Sequence, residues 1–352
     1  MMRILLALCA LILGMTPISG WAADFTIRLS QFHSSESAQY KEVTLPLKEF
    51  IEKESGGRIA VETFPNGVLH GPADGFKALI TDVTDITPAY PLFTRTSFHL
   101  SHGFFLPNAF QTAYANNQIA AELYDDYLRP EYGALGVEVF FHATSAPYAL
   151  LTKTEVKSLE DLKGLKIRGA GGPVNKMVEA LGAIPVTTAS TEILTAFQQG
   201  VVDGVLVPAE SWLTYNLDEV AKYIVLVDFG RAGDIPFAIN PKLYEKLPPD
   251  LVDVMKRAGR YGSLLQADFV ESNIARGMEA MKAKGAKVVE LSAEDIAALD
   301  TAKAKLWTEF EQEHNKAGYP ATEFIAKMKT LSSEFGAMTH DQMIARQNEL
   351  NK

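Results

Sequence analysis

The sequence has a single cysteine, Cys9, and it sits in an apolar run at the N-terminus. Without that run the chain has no thiol, which excludes disulfides, thiolate nucleophiles and cysteine-ligated metal sites. Basic excess is missing too. The formal net charge is −10, and it becomes −11 once Arg3, the one charged residue among the first 23, is set aside. An acidic chain is a poor match for a phosphate backbone, so nucleic-acid binding is not expected. Beyond Ile4–Met15 no apolar run approaches the ~20 residues that a membrane helix needs, so the protein is not expected to be embedded in a membrane itself. The phosphate-binding G-x-x-x-x-G-K, zinc-binding H-E-x-x-H and serine-elbow G-x-S-x-G patterns are absent, and no cofactor is expected. No internal repeat or low-complexity segment is present.

What is present begins with a leader. Arg3 supplies a positive n-region, Ile4–Met15 an apolar h-region, and Ser19-Gly20-Trp21-Ala22-Ala23 the small residues of a cleavage site. Met1–Ala23 therefore reads as a secretory signal, cut after Ala22 or Ala23, which implies a periplasmic protein. The alternative, a membrane anchor, asks for a longer run. About 329 residues remain (352 less 23), room for two lobes.

The most regular stretch runs from Leu159 to Trp212. Leu165–Gly169 predicts a strand ending near Arg168. Pro173 then opens a helix whose Val174, Met177, Val178 and Leu181 share one face, and Gly182 stops it. Ile184–Thr188 predicts the next strand. Ser190 is placed to cap a helix with Ile193, Leu194 and Phe197 on its apolar face, ended by Gly200, and Val205–Val207 is a third strand. Alternating short strands and helices predict an α/β protein with a mostly parallel sheet. Upstream, Phe25, Ile27 and Leu29 alternate, as do Ile59, Val61 and Thr63, and Leu135, Val137, Val139 and Phe141. Downstream, Asp250 to about Lys284 predicts a long helix, Lys287–Leu291 a strand, and Ser292/Asp295 and Thr339/Gln342 cap later helices.

Asp161-Leu162-Lys163-Gly164-Leu165-Lys166-Ile167-Arg168, then Leu181-Gly182-Ala183 with Pro185-Val186, then the run from Glu192 to Gly204 resemble, in order, the solute-binding proteins of tripartite ATP-independent periplasmic (TRAP) transporters. The element around Gly56-Gly57 and Phe64-Pro65-Asn66-Gly67 fits as well, and the likeness spans from about Phe25 to at least Leu291. The resemblance implies a two-lobed periplasmic-binding-protein-like α/β fold with a hinge and long C-terminal helices. It implies lobe I as 24–145 plus about 232–272, and lobe II with the helical tail as 146–231 plus about 273–352. It also implies membrane subunits of the transporter as partners, and Arg168 as the clamp on a solute carboxylate. A guanidinium at the C-terminal end of a strand suits that role, since its planar fork matches a carboxylate. Taken without the family, a solvated arginine is the ordinary reading.

Departures from the family pattern bear on the ligand. A polar residue, often arginine, stands about 20 positions before the clamp in many members; this chain has Tyr148. Val207 stands in place of an asparagine, Tyr90 in place of an acid found in sialic-acid binders, and Ser190 where an aromatic is common. All but Ser190 trade polar readout for apolar or aromatic surface. A polyhydroxylated solute would leave buried hydroxyls unpaired, at about 1–3 kcal/mol each. The expected ligand is thus a small organic carboxylate with an aromatic or apolar body. Trp212, just after the third strand, is expected in the wall, and Phe32 and His33, on the loop after the first strand, complete the candidate set. The alternatives are a periplasmic lyase or hydrolase using His33 and a carboxylate, and a sensor feeding a membrane kinase.

Other features read as ordinary structure. Gly169-Ala170-Gly171-Gly172 invites a dinucleotide reading, but Val174 breaks G-x-G-x-x-G. His99 and His102 lack metal partners in sequence, Asp203 is expected to bond backbone at a strand start, and Phe104, Phe105 and Phe110 are expected in the core.

Overall fold

The computed structural model describes residues 23–94, 96–231 and 233–349. The expected leader therefore lies outside the described residues except for Ala23. Eleven strands are ordered along the chain: β1 (Phe25–Ser30), β2 (Ile59–Phe64), β3 (Ile86–Pro88), β4 (Glu138–Phe141), β5 (Tyr148–Thr152), β6 (Lys166–Gly169), β7 (Ile184–Thr187), β8 (Gly204–Pro208), β9 (Tyr223–Leu226), β10 (Phe237–Ile239) and β11 (Lys287–Glu290). They form two sheets, β2-β1-β3-β10-β4 and β11-β9-β5-β8-β6-β7. The result is a two-lobed α/β fold.

Both sheets are mixed, which corrects the expectation of a mostly parallel one. β5 runs antiparallel to β8 and β9, and β10 runs antiparallel to β3 and β4. These are the two strands entered straight from the other sheet. The parallel pairs β1–β2, β6–β7 and β6–β8 are joined through helices, as parallel neighbours must be. A strand arriving from the opposite lobe has no such crossover to make. The central strand β8 buries Val205, Leu206 and Val207 in succession, so both its faces are covered and alternation is lost there.

The chain passes between the sheets three times, and the first two crossings, β4 to β5 and β9 to β10, run side by side. Tyr148 N–H donates to the Gly230 carbonyl at 3.1 Å and Ile235 N–H to the Ala143 carbonyl at 2.7 Å. Beside them His142 Nδ1 meets Asp234 Oδ2 at 2.9 Å, both buried.

A 35-residue helix, Pro249–Ala283, reaches about 52 Å and lies along both lobes. Its glycines set how closely it lies. A Cβ on Gly259 would meet the Phe140 carbonyl oxygen at 2.4 Å, and one on Gly277 would meet the Ala209 carbonyl oxygen at 3.0 Å. Phe140 belongs to the first sheet, while Ala209 follows β8 of the second. The same helix is thus fitted to each lobe by a residue without a side chain, despite a cost of about 1 kcal/mol per helical glycine.

Helices Ala293–Lys316 and Ala321–Phe335 also bridge the lobes. Lys176 Nζ pairs with Glu313 at 2.7 Å, on the second-lobe side. Trp307 Nε1–H donates to the Pro107 carbonyl at 3.1 Å, and a Cβ on Gly103 would strike Phe324. Ser292 caps the first of these helices, accepting from Asp295 N–H at 3.1 Å, and Thr339 and Gln342 cap the helix His340–Glu349 reciprocally. Ser190 does not cap its helix. Ala189 takes the extended cap position, Glu192 reaches back to its N–H at 3.3 Å, and Ser190 begins a 3-10 turn, Ser190–Glu192. Asp203 does bond backbone, accepting from Lys166 N–H at 2.8 Å.

Candidate ligand-binding cleft

A cleft of about 890 Å³, its open mouth included, lies where the two sheets face each other. Its lining is of the kind usual for small-molecule sites, mostly apolar with a few polar groups. The first lobe contributes His33, Tyr90, Leu92, Phe93 and Phe237; the second contributes Tyr148, Arg168, Ser190, Ile193, Val207, Glu210 and Tyr215. Ser145 and Ile235 line it from the two crossings.

Arg168 is placed by β6, at the carboxyl end where open α/β sheets gather ligands. The residue is 4% exposed. Its Nη2 donates to the Thr188 carbonyl at 3.0 Å, while its Nε is buried with no partner. Desolvation pulls its pKa below the ordinary arginine value, and the neighbours that oppose this are the phenols Tyr215 and Tyr148. No carboxylate among the described residues forms an ion pair with it. Loss of hydration without a protein counter-charge is costly, and an anion entering the cleft would relieve it.

Tyr148 begins β5, and burial raises its phenol pKa above the ordinary value; the same holds for Tyr90 and Tyr215. These groups are neutral hydrogen-bonding walls at neutral pH. Ser190 lies beside Tyr215 and hydrogen-bonds it, so leaving the cap position gave its hydroxyl a partner in the cleft. Val207 reaches the cleft from β8 as a purely apolar surface.

Glu210 is a lining residue that the sequence reading missed. It follows β8 directly, and its Oε2 accepts from Ala146 N–H in the first crossing at 2.9 Å. Burial pushes its carboxyl up to about 7. The signal was present as spacing: Ser211, Thr214 and Tyr215 also line the cleft, and these fall at i, i+3 and i+4 around the short helix Ser211–Thr214. Trp212 lies off that face. It is 1% exposed in the core, with its ring edge against Gly277, and does not line the cleft, which corrects its expected place in the wall.

On the first-lobe side, His33 lines the cleft and Phe32 backs it. Phe32 is buried, 4.3 Å from the His33 ring and edge-on to Tyr90 at 5.4 Å, so it supports the wall rather than forming it. His33 Nδ1 lies 2.9 Å from the Gln31 amide oxygen, which accepts only, so Nδ1 carries the proton and Nε2 keeps its lone pair. Burial pushes its imidazole down to about 4, leaving it neutral at neutral pH. Phe105, expected in the core, is buried there and also lines the cleft; Phe104 and Phe110 are core only. His99 stacks on Tyr319 and His102 approaches the Pro91 carbonyl, and no cluster of metal-ligating side chains occurs among the described residues. Gly171, at φ 91, forms the tight turn into the helix Gly172–Ala180.

A model of the family described as bacterial extracellular solute-binding protein, family 7, matches residues 29–313. A solute-binding protein of Verminephrobacter eiseniae is 29% identical over 304 residues, 84% of this chain and 88% of its own. A TRAP solute binding protein from Rhodoferax ferrireducens, solved with copurified benzoate, superposes with a TM-score of 0.82 at 24% identity, covering 91% of this chain and 99% of its own. A TRAP periplasmic solute binding protein from Haemophilus influenzae, solved with L-gulonate, superposes with a TM-score of 0.77 at 16% identity, covering 87% and 99%. One backbone thus accompanies quite different acids, and the backbone does not choose between them. With two lobes around a cleft, and a family match over most of its length, the chain belongs to the bacterial extracellular solute-binding proteins of family 7, the solute-binding components of TRAP transporters.

Proposed function

We propose that the protein captures a small monocarboxylate with an aromatic or apolar body and hands it to the membrane subunits for ion-coupled uptake. The carrying observation is Arg168: a guanidinium buried at a strand end, with an unpartnered Nε and, among the described residues, no carboxylate paired to it. In this reading the ligand carboxylate takes the open side of the fork. Tyr90, Tyr148 and Val207 then face the body, with Ser190 and His33 at its margins. The benzoate of the Rhodoferax ferrireducens neighbour is an acid of this kind. The two lobes, 24–145 plus about 232–272 and 146–231 plus about 273–352, close on the solute about the paired crossings.

Calorimetric titration with aromatic, branched aliphatic and sugar acids tests the ligand class. Saturable binding of the first two, without turnover in a parallel product assay, is the expected result. Tight binding of uronic or sialic acids alone would overturn the apolar-body reading. Turnover would point to the enzyme alternative built on His33. Scattering with saturating ligand tests closure, the expected change being a smaller radius of gyration.

A further inference from the structure

We propose that Glu210 is the specificity-determining residue at the far end of the cleft: among acids clamped by Arg168, it selects those carrying a hydroxyl donor remote from the carboxylate. This rests on the reading of the cleft as a carboxylate site.

The placement comes from the groups around it. Arg168 ends β6 on one side of β8, whereas Glu210, which follows β8, is tied to Ala146 just ahead of β5 on the other side, where Tyr148 pairs with Pro208. The cation and the carboxyl therefore reach the cleft from opposite sides of β8, with Tyr148 and Tyr215 also in its lining. At the acidic end the Glu210 carboxyl is held by backbone N–H groups alone, that of Ala146 at 2.9 Å and its own. No side chain among the described residues pairs with it. A carboxyl so held keeps acceptor capacity for a guest, since each carboxyl oxygen offers two lone pairs. A second ligand carboxylate at that end would meet like charge. A plain apolar end would leave the carboxyl dry and unpaired. A hydroxyl supplies the missing donor.

The charged and titratable groups facing Glu210 among the described residues bear on the pH dependence. These are Arg231 on the return crossing and the phenols Tyr90, Tyr148 and Tyr215. Arginine stays cationic, and the raised phenols stay neutral through neutral pH. His33, elsewhere in the wall and pushed down to about 4, is neutral throughout. Glu210, near 7, is the group that changes charge between pH 6 and 8. On ionising it repels a plain carboxylate ligand and becomes a stronger acceptor for a hydroxyl. Preference for the hydroxylated acid therefore grows as pH rises.

The test is titration of the protein with benzoate, 3-hydroxybenzoate, 4-hydroxybenzoate and 3-(aminomethyl)benzoate at pH 6 and pH 8, for the wild type, Glu210→Gln and Glu210→Leu. The expected wild-type result is that one hydroxy isomer binds at least ~10-fold tighter than benzoate at pH 8, the gain of a charge-assisted bond, and less so at pH 6. In Glu210→Gln the amide oxygen still accepts from Ala146 N–H, so the tie to the first crossing is kept. The preference should fall to about threefold or less and lose its pH dependence, while benzoate binding persists. Glu210→Leu should invert the order in favour of benzoate. An unchanged preference in both folded variants overturns the inference while leaving the carboxylate site intact, and tighter binding of the ammonium probe overturns the choice of hydroxyl. Failure of the wild type to bind any of the four overturns the aromatic-acid reading and this inference with it.

Discussion

Arg168 and Arg231 are buried almost equally, at 4% and 5% exposure, but their surroundings differ. Arg231 lies in the return crossing, where Nη2 pairs with Glu271 at 2.7 Å and Nε donates to the Gln111 carbonyl at 3.0 Å. Arg168 lies in the cleft with one carbonyl at 3.0 Å and, among the described residues, no carboxylate partner. Each also has a buried nitrogen without a partner, so an idle N–H does not distinguish them. The counter-charge does. A cation that brings its own anion serves the fold, whereas one kept dry without an anion is poised for a ligand.

Three substitutions test that contrast. Arg168→Ala should lose roughly 3–5 kcal/mol of carboxylate binding, about 10²–10⁴-fold, with little change in folding stability. Titration alongside circular dichroism measures both, and near-wild-type affinity in a folded variant would remove Arg168 from the site. Arg231→Ala should show the reverse pattern, a loss of about 3–5 kcal/mol in folding stability, because Glu271 is left without its cation. Chemical denaturation reads this, and a fully stable Arg231→Ala protein would break the contrast. Arg168→Lys should recover only part of the affinity, remaining ~1–3 kcal/mol short, since an ammonium cannot make two parallel bonds.

The smallest effect concerns Glu210. Its carboxyl is raised from 4.5 to about 7 in the folded protein, so between those values the native state holds a proton that the unfolded chain has lost. Its contribution to stability is present below pH 4.5 and is lost as pH rises through 7. Denaturation midpoints of Glu210→Gln should therefore decline less than those of the wild type between pH 5 and pH 8. Equal slopes would place Glu210 in water.

Much of this was readable along the chain. The β6 strand, the glycine turn at Gly171, the helix face of Val174, Met177 and Val178, and the caps at Ser292 and Thr339 depend on neighbours within a few residues. So did the placing of Arg168 at a strand end, and the family motifs raised it above an ordinary surface arginine. The misplaced residues are those whose direction depends on a distant partner. Trp212 turns inward because Gly277, on a helix far along the chain, leaves room for its ring. Ser190 gives up its cap because Ala189 takes that position and Tyr215 offers its hydroxyl another bond.

The sequence by itself determined the order of strands and helices, the likeness to the family, and Arg168 as the cation to examine, because periodicity, caps and contiguous motifs are local properties. Only the tertiary structure decided that β5 and β10 run antiparallel, that Tyr215 rather than Trp212 faces the cleft, and that Glu210 lines it together with Arg168. Each of these depends on how two lobes meet at a double crossing. That meeting is set by contacts between residues tens to hundreds of positions apart, which no local pattern encodes.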